Sequence, residues 1–335
     1  NTLLGEVPEI KNFFVCCGLN SIGIGSGGGV GKVTAEWLIT GHINEDIFSY
    51  DIKRFQKFHS ELGFIKKRIT ESLGDLYGMH WPFKQHKTSR NIKTLPHHDN
   101  LKSFGACFGV SGGYERPMWF ALDGEKAEYE YSYNYQSWYP SAEYETNNTI
   151  KNVGLFDLTP FSKFEIKSEK AHQELQKICT ANIKNEPGKC TYTHMLNPDG
   201  GIETDLTVVC VENNRFRIIS SAATRERDKF HIKKHLSKDI EFKDITDDLC
   251  VFGLFGPKSR DLMKTLSKDN LDNDNFKFGT AKYITIDGIK IWTQRLSYVG
   301  ELGYELYVDL KDAKKIYELL IEKGKDFNLS NCGMH

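Results

Sequence analysis

A turn followed by two carboxylates is the part of this sequence best suited to acid–base chemistry. Asn197-Pro-Asp-Gly-Gly201 has the composition of a turn between two strands, and Thr204–Val211 has that of the strand after it. Because side chains alternate across a strand, Glu203 and Asp205 share one face. A carboxylate at a pocket rim could orient or deprotonate an amine. The alternative is a pair of carboxylates on a solvated strand face.

A second segment, Tyr298-Val-Gly-Glu-Leu-Gly-Tyr-Glu305-Leu, combines two glycines and two glutamates in a tight turn that enters a strand. Glutamate carboxylates suit recognition of an amidine-like pair of N–H groups on a heterocycle, since both oxygens accept hydrogen bonds. A plain turn without a ligand is the alternative.

The third segment is a glycine cluster, Gly18-Leu-Asn-Ser-Ile-Gly-Ile-Gly-Ser-Gly-Gly-Gly-Val-Gly-Lys32. It lies between the strand-like run Phe13–Cys17 and the helix-like stretch Val33–Thr40. This layout aims backbone N–H groups and a helix dipole at an anion. A phosphate-binding P-loop is excluded, because Ser26 stands where that motif needs its first glycine and Val33 where it needs Ser or Thr.

Three interpretations of the glycine cluster stay open. The dinucleotide fingerprint G-x-G-x-x-G occurs at Gly23, Gly25 and Gly28, but the preceding strand ends too early for its tight first turn. A glycine-rich packing turn without a ligand is the second interpretation. The third is a helix N-terminus pressed so closely against a flat or anionic cofactor that only glycine fits.

The segments around these motifs predict a protein of mixed α/β and α+β class. Helical spacing covers Asp51–Phe58 and Ser60–Tyr77, whereas residues 104–150, dense in aromatics, indicate an ordered connecting segment. From Val153 onward strands and helices follow a regular order. The strands predicted there are Phe161–Lys167, Thr191–Leu196, Thr204–Val211, Phe216–Ser221, Leu249–Phe255, Ala281–Ile286, Ile289–Leu296 and Gly303–Val308. The helices predicted there are Ser168–Thr180, Thr224–Leu236, Lys258–Leu266 and Asp312–Lys323.

Composition excludes several functional classes. The 335 residues carry 44 Lys+Arg against 45 Asp+Glu, a net charge of −1, so no nucleic-acid partner is expected. No apolar run approaches the roughly 18 residues that a membrane span needs. Eight scattered cysteines without C-x-x-C predict reduced, buried thiols, and the 11 histidines lack metal-ligand spacing, so no metal is expected. Both ends look like cuts through folded domains, which predicts a fragment.

In order and spacing, these motifs resemble the sarcosine dehydrogenase and dimethylglycine dehydrogenase family. The glycine cluster is similar to the last flavin-contacting turn of that family's FAD-binding domain. Asp51-Ile-Lys-Arg-Phe55 resembles the opening of its small central domain, and Tyr114-Glu-Arg-Pro-Met-Trp-Phe120 the segment that leads to its folate domain. Three further segments resemble the aminomethyltransferase (T-protein) domain of the glycine cleavage system, namely Gly154–Leu158, Asn197–Leu206 and Tyr298–Leu306.

The resemblance implies three domains and two cofactors, FAD and tetrahydrofolate. Residues 1–42 would be the C-terminal end of the FAD-dependent oxidoreductase domain, 43–103 its central domain, and 104–335 most of the folate-binding, aminomethyltransferase-like domain. The implied FAD contacts are Gly18, Asn20, Ser21, Gly23, Ile24, Gly27, Gly28 and Gly29. The implied folate contacts are Tyr192, Asp205, Ser221, Tyr298 and Glu305.

Single residues carry further implications of the resemblance. Asp205 matches the T-protein aspartate that positions and activates the folate amine, which makes it the implied catalytic residue. Ser221 stands where T-proteins carry Asn. Ile24 stands where related monomeric sarcosine oxidases carry a lysine, which favours a dehydrogenase over an oxidase. The positive end of a helix at Gly27–Lys32 would stabilise negative charge on the flavin.

The implied activity is FAD-dependent oxidative N-demethylation of sarcosine or dimethylglycine, with transfer of the one-carbon unit to tetrahydrofolate. The implied partners are the small N-methyl amino acid and an electron acceptor, an electron-transfer flavoprotein. The implied location is the cytoplasm of a bacterium or the mitochondrial matrix of a eukaryote. Two alternatives remain: a non-catalytic relative like the pyruvate dehydrogenase phosphatase regulatory subunit, and a flavin demethylase whose folate domain is purely structural.

Overall fold

The computed structural model describes residues 2–43 and 45–335. The first part contains a two-stranded antiparallel sheet of β1 (Leu3–Glu6) and β2 (Phe14–Cys17), followed by helix α1 (Gly23–Thr40). Two short 3₁₀ turns and helix α2 (Leu62–Asp75) come next. The helices and strands after α2 are, in chain order, α3 (His98–Ser103), β3 (Ala106–Ser111), β4 (Tyr114–Phe120), α4 (Tyr139–Lys151), β5 (Val153–Asp157), β6 (Ser162–Lys167), α5 (Ala171–Ile178), β7 (Cys190–Leu196), β8 (Ile202–Glu212), β9 (Arg215–Ser220), α6 (Arg225–His235), β10 (Glu241–Asp244), β11 (Leu249–Phe255), α7 (Ser259–Leu266), β12 (Thr280–Ile286), β13 (Ile289–Arg295), β14 (Gly303–Asp309), α8 (Leu310–Gly324) and β15 (Leu329–Cys332).

Two large sheets form the centre of the fold. One has five strands in the order β10-β6-β9-β8-β7, and the other has six in the order β12-β13-β14-β11-β5-β15. The strands pair antiparallel except β15, which runs parallel to β5. The predicted meander of three strands is confirmed, because β12, β13 and β14 are neighbours in the second sheet.

Helices cover the outer face of each sheet, and the inner faces pack on each other. The five-stranded sheet buries its outer face against α5 and α6, where Leu175 and Ile232 are fully enclosed. The six-stranded sheet does so against α7 and α8. A third cluster joins the sheets, with Val209 of one against Val251 and Phe255 of the other. The result is a four-layer α/β/β/α arrangement, in agreement with the predicted mixed class.

The first part of the chain packs on α6 through a buried cation. Lys53 is almost fully buried, and its Nζ lies 3.1 Å from Oδ1 of Asp51. The same Nζ lies over the rings of Trp37 in α1 and Phe230 in α6, at 4.5 and 5.1 Å from their centroids. Burial lowers the pKa of Lys53, an effect that the Asp51 carboxylate opposes. This contact therefore links α1, the 3₁₀ turns and the five-stranded half.

The glycine cluster corrects one prediction. The helix begins at Gly23, within the cluster, and not at Val33 or in Gly27–Lys32. Only Gly18 to Ile22 form the preceding turn, with Gly18 at φ +74° in the left-handed region. Glycine lowers helix propensity by about 1 kcal/mol per residue, a bias that packing overrides. Here Trp37, buried against the ring of Phe14, anchors the C-terminal half of α1.

Residues 104–150 are also more regular than the expected connecting segment. They contain the hairpin of β3 and β4, which turns at Gly112 and Gly113 with positive φ angles, and the helix α4. Its aromatics divide into two groups, because Tyr129 packs edge-on against Trp119 whereas Tyr135 is 80% exposed. The irregular aromatic spacing hid both elements, since neither a period of 2 nor one of 3.6 dominates it.

Smaller differences concern a helix, the thiols and three strands. Asp51–Phe58 forms no α-helix but two 3₁₀ turns, Ile52–Arg54 and Lys57–Ser60. Among the described residues all cysteines are free, but Cys16 and Cys17 are exposed, contrary to the expected burial. Strands β5, β10 and β15 were not predicted as strands.

In the part of the chain that the structure describes, no helix combines the length and apolar character needed to cross a bilayer.

Candidate functional site

A cleft of about 730 Å³ opens where the two sheets meet. Strands β7, β8 and β9 form one wall, and β11, β14 and the loop after β13 form the other. All five residues implied as folate contacts lie in its lining, namely Tyr192, Asp205, Ser221, Tyr298 and Glu305. They come from different sheets and from positions more than a hundred residues apart, and the fold brings them to one site.

Tyr192 and Asp205 form a hydrogen-bonded pair on one wall. In the antiparallel β7–β8 register, Tyr192 lies opposite Thr207, which makes Asp205 its diagonal neighbour on the same face. The Tyr192 hydroxyl donates to Oδ2 of Asp205 over 3.1 Å. Desolvation and this hydrogen bond raise the pKa of Tyr192, so the phenol keeps its proton and remains a donor at neutral pH. The carboxylate is thereby oriented at an exposed position of the strand.

Glu305 forms the acidic group of the opposite wall. It lies on β14, where Oη of Tyr307 donates to its Oε2 over 2.8 Å. Desolvation raises the pKa of Glu305 to about 7, although the Tyr307 hydrogen bond favours the ionised form. Near neutral pH this carboxyl is therefore divided between its protonated and ionised forms. In its ionised form it can accept the N–H pair of an amidine-like heterocycle, as the sequence predicts.

Tyr298 and Ser221 complete the group of expected contacts. Tyr298 is 58% exposed, and its ring packs edge-on against Phe161 at 5.6 Å between centroids. Ser221 accepts a hydrogen bond from the backbone N–H of Ala223 over 3.3 Å at its Oγ. Its carbonyl accepts one from Ser162. The Ser221 hydroxyl thus already accepts one hydrogen bond at the edge of the cleft.

Two cationic residues in the cleft lining, Lys163 and Arg116, were missed from the sequence. Lys163 is fully buried, and its Nζ donates to the carbonyls of Thr159 and Phe161 over 2.7 and 2.9 Å. Burial lowers the pKa of Lys163 to about 7. Strand alternation groups Lys163 with Glu165 and Lys167, the pattern of a solvated face, so no sequence signal indicated an inward lysine.

The residues implied as FAD contacts lie outside the cleft, in one continuous turn-to-helix stretch. Gly18, Asn20 and Ser21 precede α1, and Gly23 and Ile24 begin it. An added Cβ at Gly25, Gly27, Gly28 or Gly29 would meet nothing within 4 Å, and the Ile24 side chain is fully exposed. The first turn of α1 carries no acidic residue. A glycine-rich first half of the helix, with an unneutralised N-terminal dipole, fits a flat anionic ring system.

One acidic cluster lies elsewhere, in the segment around α2. Ligand atoms of Glu71, Asp75 and His86 lie within 4.8 Å of one another. The Glu71 carboxylate already accepts hydrogen bonds from the backbone N–H groups of Lys87 and Thr88, at 2.7 and 2.9 Å. Together with a hydrogen bond from the Thr88 hydroxyl, these contacts outweigh the desolvation of Glu71 and lower its pKa to about 2. The cluster thus has a structural role, joining α2 to the loop that follows it.

The chain belongs to the family described as the GCVT N-terminal domain, whose model matches residues 97–335. Residues 40–94, just before it, match the FAD dependent oxidoreductase central domain. Among curated proteins it is similar to 4-methylaminobutanoate oxidase (formaldehyde-forming) of Paenarthrobacter nicotinovorans, with 36% identity over 100% of the chain and 41% of that protein. It is also similar to mitochondrial dimethylglycine dehydrogenase of Rattus norvegicus, with 29% identity over 99% of the chain and 39% of that protein.

The chain therefore spans about two fifths of the length of these curated relatives. Among solved structures it is similar to the glycine cleavage system aminomethyltransferase T from Bartonella henselae, with a TM-score of 0.59. That similarity has 20% sequence identity and covers 73% of this chain and 60% of the other. It supports the fold of the cleft-bearing part. The predicted resemblance to the sarcosine and dimethylglycine dehydrogenase family is confirmed.

Proposed function

We propose that the protein carrying this chain oxidatively removes an N-methyl group from a small amino acid with FAD and transfers the one-carbon unit to tetrahydrofolate in the cleft. The observation that carries the proposal is the shared cleft of Tyr192, Asp205, Tyr298 and Glu305. The names of the relatives support the first half of the reaction. We further propose that residues 1–42, 43–103 and 104–335 are the end of the flavin domain, its central domain and the folate domain.

The flavin half rests on the N-terminal end of α1. FAD, when bound, supplies the two-electron oxidation that converts the N-methyl amine into an iminium ion. Gly25, Gly27, Gly28 and Gly29 carry no side chains and have open space around them, which allows close approach of a flat ring system. The backbone N–H groups at Gly23 and after it orient the positive end of the helix dipole toward negative charge there. An electron-transfer flavoprotein is the proposed electron acceptor.

The folate half rests on the two carboxyl groups of the cleft. Glu305 accepts hydrogen bonds from the N–H pair of the pterin and thereby orients it, while Tyr298 provides an aromatic wall beside it. Asp205, held by Tyr192, accepts a hydrogen bond from the folate amine before attack. As the amine attacks the one-carbon unit, the same carboxylate stabilises the developing ammonium and removes its proton.

The test uses the full-length protein with sarcosine, dimethylglycine and 4-methylaminobutanoate as separate substrates. Loss of oxidised flavin absorbance identifies the substrate of the first half. Tetrahydrofolate should divert the one-carbon unit from formaldehyde to methylenetetrahydrofolate, faster than it condenses with free formaldehyde in the absence of the protein and without changing the rate of flavin reduction. Absence of flavin reduction with every N-methyl amine would favour the regulatory alternative. Methylenetetrahydrofolate formation no faster than the uncatalysed condensation of tetrahydrofolate with formaldehyde would favour a structural folate domain.

A further inference from the structure

Arg116, on β4, places a guanidinium in the cleft lining without a partner. Among the described residues no hydrogen bond or ion pair engages this group, and its Nε is shielded from water without a hydrogen-bond acceptor. Desolvation lowers the pKa of Arg116, but an arginine in a protein stays protonated. Asp157 favours this charge through space without forming an ion pair with it. The cleft therefore contains an unpaired positive charge.

Three other partly buried arginines of the described chain bind a carboxylate. Arg90 binds the Glu115 carboxylate with its guanidinium fork. Nη2 of Arg217 lies 2.7 Å from Oε1 of Glu165, and Nη2 of Arg225 lies 2.9 Å from Oδ1 of Asp244. Leaving a shielded charge unpaired is costly, so an internal pairing is the usual solution. Arg116 departs from that pattern in the lining of the cleft, where a ligand could provide the missing acceptor.

The acidic groups of the cleft do not neutralise Arg116. Asp205 is held by Tyr192, and Glu305 is held by Tyr307. Lys163 faces main-chain carbonyls, so its ammonium is already solvated by the protein. The cleft thus presents acceptors and a cationic fork at separate positions. Such a distribution is complementary to a ligand that carries N–H donors at one end and a carboxylate at another.

We propose that Arg116 is a carboxylate-binding residue of the cleft, an inference that rests on the proposed function. Its planar fork matches both oxygens of a carboxylate, which a lysine would hold only as a point charge. The carboxylate has two possible sources. One is the amino acid whose one-carbon unit is transferred, and the other is the glutamate of the folate.

The experiment compares Arg116→Gln with the full-length wild-type protein by calorimetric titration. The probes are 5-formyltetrahydrofolate and the corresponding pteroyl amide, in which a neutral amide replaces the glutamate. If the glutamate is the source, the variant should bind 5-formyltetrahydrofolate about 10- to 100-fold more weakly and the pteroyl amide unchanged, the range for a hydrogen bond to a charged group. If the amino acid is the source, both affinities stay unchanged and the fraction of one-carbon units released as formaldehyde rises instead.

Controls separate this inference from folding and from the proposed function. Because Arg116 has no internal partner, Arg116→Gln should unfold at the wild-type temperature or above. Arg116→Lys should recover part of the lost binding or transfer. Arg260→Gln removes an arginine that contacts Tyr304 and Asn273 outside the cleft, and should change neither. Unaltered affinity and partitioning in Arg116→Gln would overturn the inference, whereas failure of the wild type to bind either probe would overturn the folate proposal itself.

Discussion

The hydroxyl of Tyr192 donates to Oδ2 of Asp205 over 3.1 Å, across the neighbouring strands β7 and β8. The bond lies within a twisted antiparallel pair whose register is held by backbone hydrogen bonds along seven residues of β7. It fixes the direction of one carboxylate before any ligand enters. A group held in its working geometry contributes to catalysis because less reorganisation remains to be done during the reaction.

Asp205→Asn should separate the two halves of the proposed reaction. In the full-length protein we expect unchanged flavin reduction but methylenetetrahydrofolate formation slowed by about 10²- to 10⁴-fold, the usual effect of losing a general base. Free formaldehyde should rise correspondingly, measured by trapping it in single turnovers. Glu203→Gln, on the same strand but outside the cleft lining, serves as the matched control. Equal product partitioning in the wild type and Asp205→Asn would return Asp205 to the role of a solvated carboxylate.

Gly28→Val tests the flavin contact of α1. An added Cβ at Gly28 meets nothing within 4 Å, so a valine fits the described chain and should not unfold it. We expect the purified full-length variant to lack the flavin absorbance band, because a β-branched side chain occupies the approach to the helix. Gly63→Val is the control, since Gly63 also lies in a helix with open space around its Cβ. A normal flavin content in Gly28→Val would contradict the proposed contact.

The affinity for folate should depend on pH through Glu305. Its pKa is raised to about 7, mainly by desolvation, so the carboxyl is protonated in much of the population below that pH. A protonated carboxyl cannot accept two N–H groups, so the dissociation constant of 5-formyltetrahydrofolate should increase as the pH falls from 8 to 6. Titrations at several pH values measure this. In Glu305→Gln the binding should be weak throughout, and a wild-type slope that persists in this variant would assign the titration to another group.

Lys163 should make stability depend on pH above neutrality. Its pKa is lowered to about 7 by burial, whereas an unfolded lysine stays protonated to about pH 10. Between these values the unfolded state binds more protons, so the free energy of unfolding should rise with pH, by at most about 1.4 kcal/mol per pH unit. Below pH 7 the free energy of unfolding no longer changes with pH through Lys163, because the lysine is protonated in both states. Denaturant unfolding of the wild type and Lys163→Met at pH 7 and 9 measures it.

The quantity to compare between the wild type and Lys163→Met is the change in the free energy of unfolding from pH 7 to pH 9, not its value at one pH. Lys163→Met leaves the carbonyls of Thr159 and Phe161 without their donor, which lowers stability at every pH. Lys243→Met, at an exposed position of β10, controls for the general loss of a lysine. Parallel pH profiles of the wild type and Lys163→Met would show that Lys163 remains charged in the folded protein.

Much of the fold follows from local patterns in the sequence. The strand Leu249–Phe255 has the predicted bounds, and the hairpin at Asp287 and Gly288 turns where its dipeptide indicates. Alternation also placed Asp205 and Leu206 on opposite faces of β8, where Asp205 is exposed and Leu206 is buried. These features depend on turn chemistry and on the side-chain period of a strand, both of which act within a few residues.

Only the tertiary structure decided which distant residues meet. Asp205 and Glu305 lie on different sheets, and their common cleft results from the packing of Val209 against Val251, which no periodicity encodes. The inward lysine at position 163 follows a solvent-facing pattern and is buried because the second sheet covers that face. The motifs therefore identified the acidic residues by type. Sheet packing determined which of them meet and left Arg116 unpaired, because burial and charge pairing depend on non-local contacts and not on local propensity.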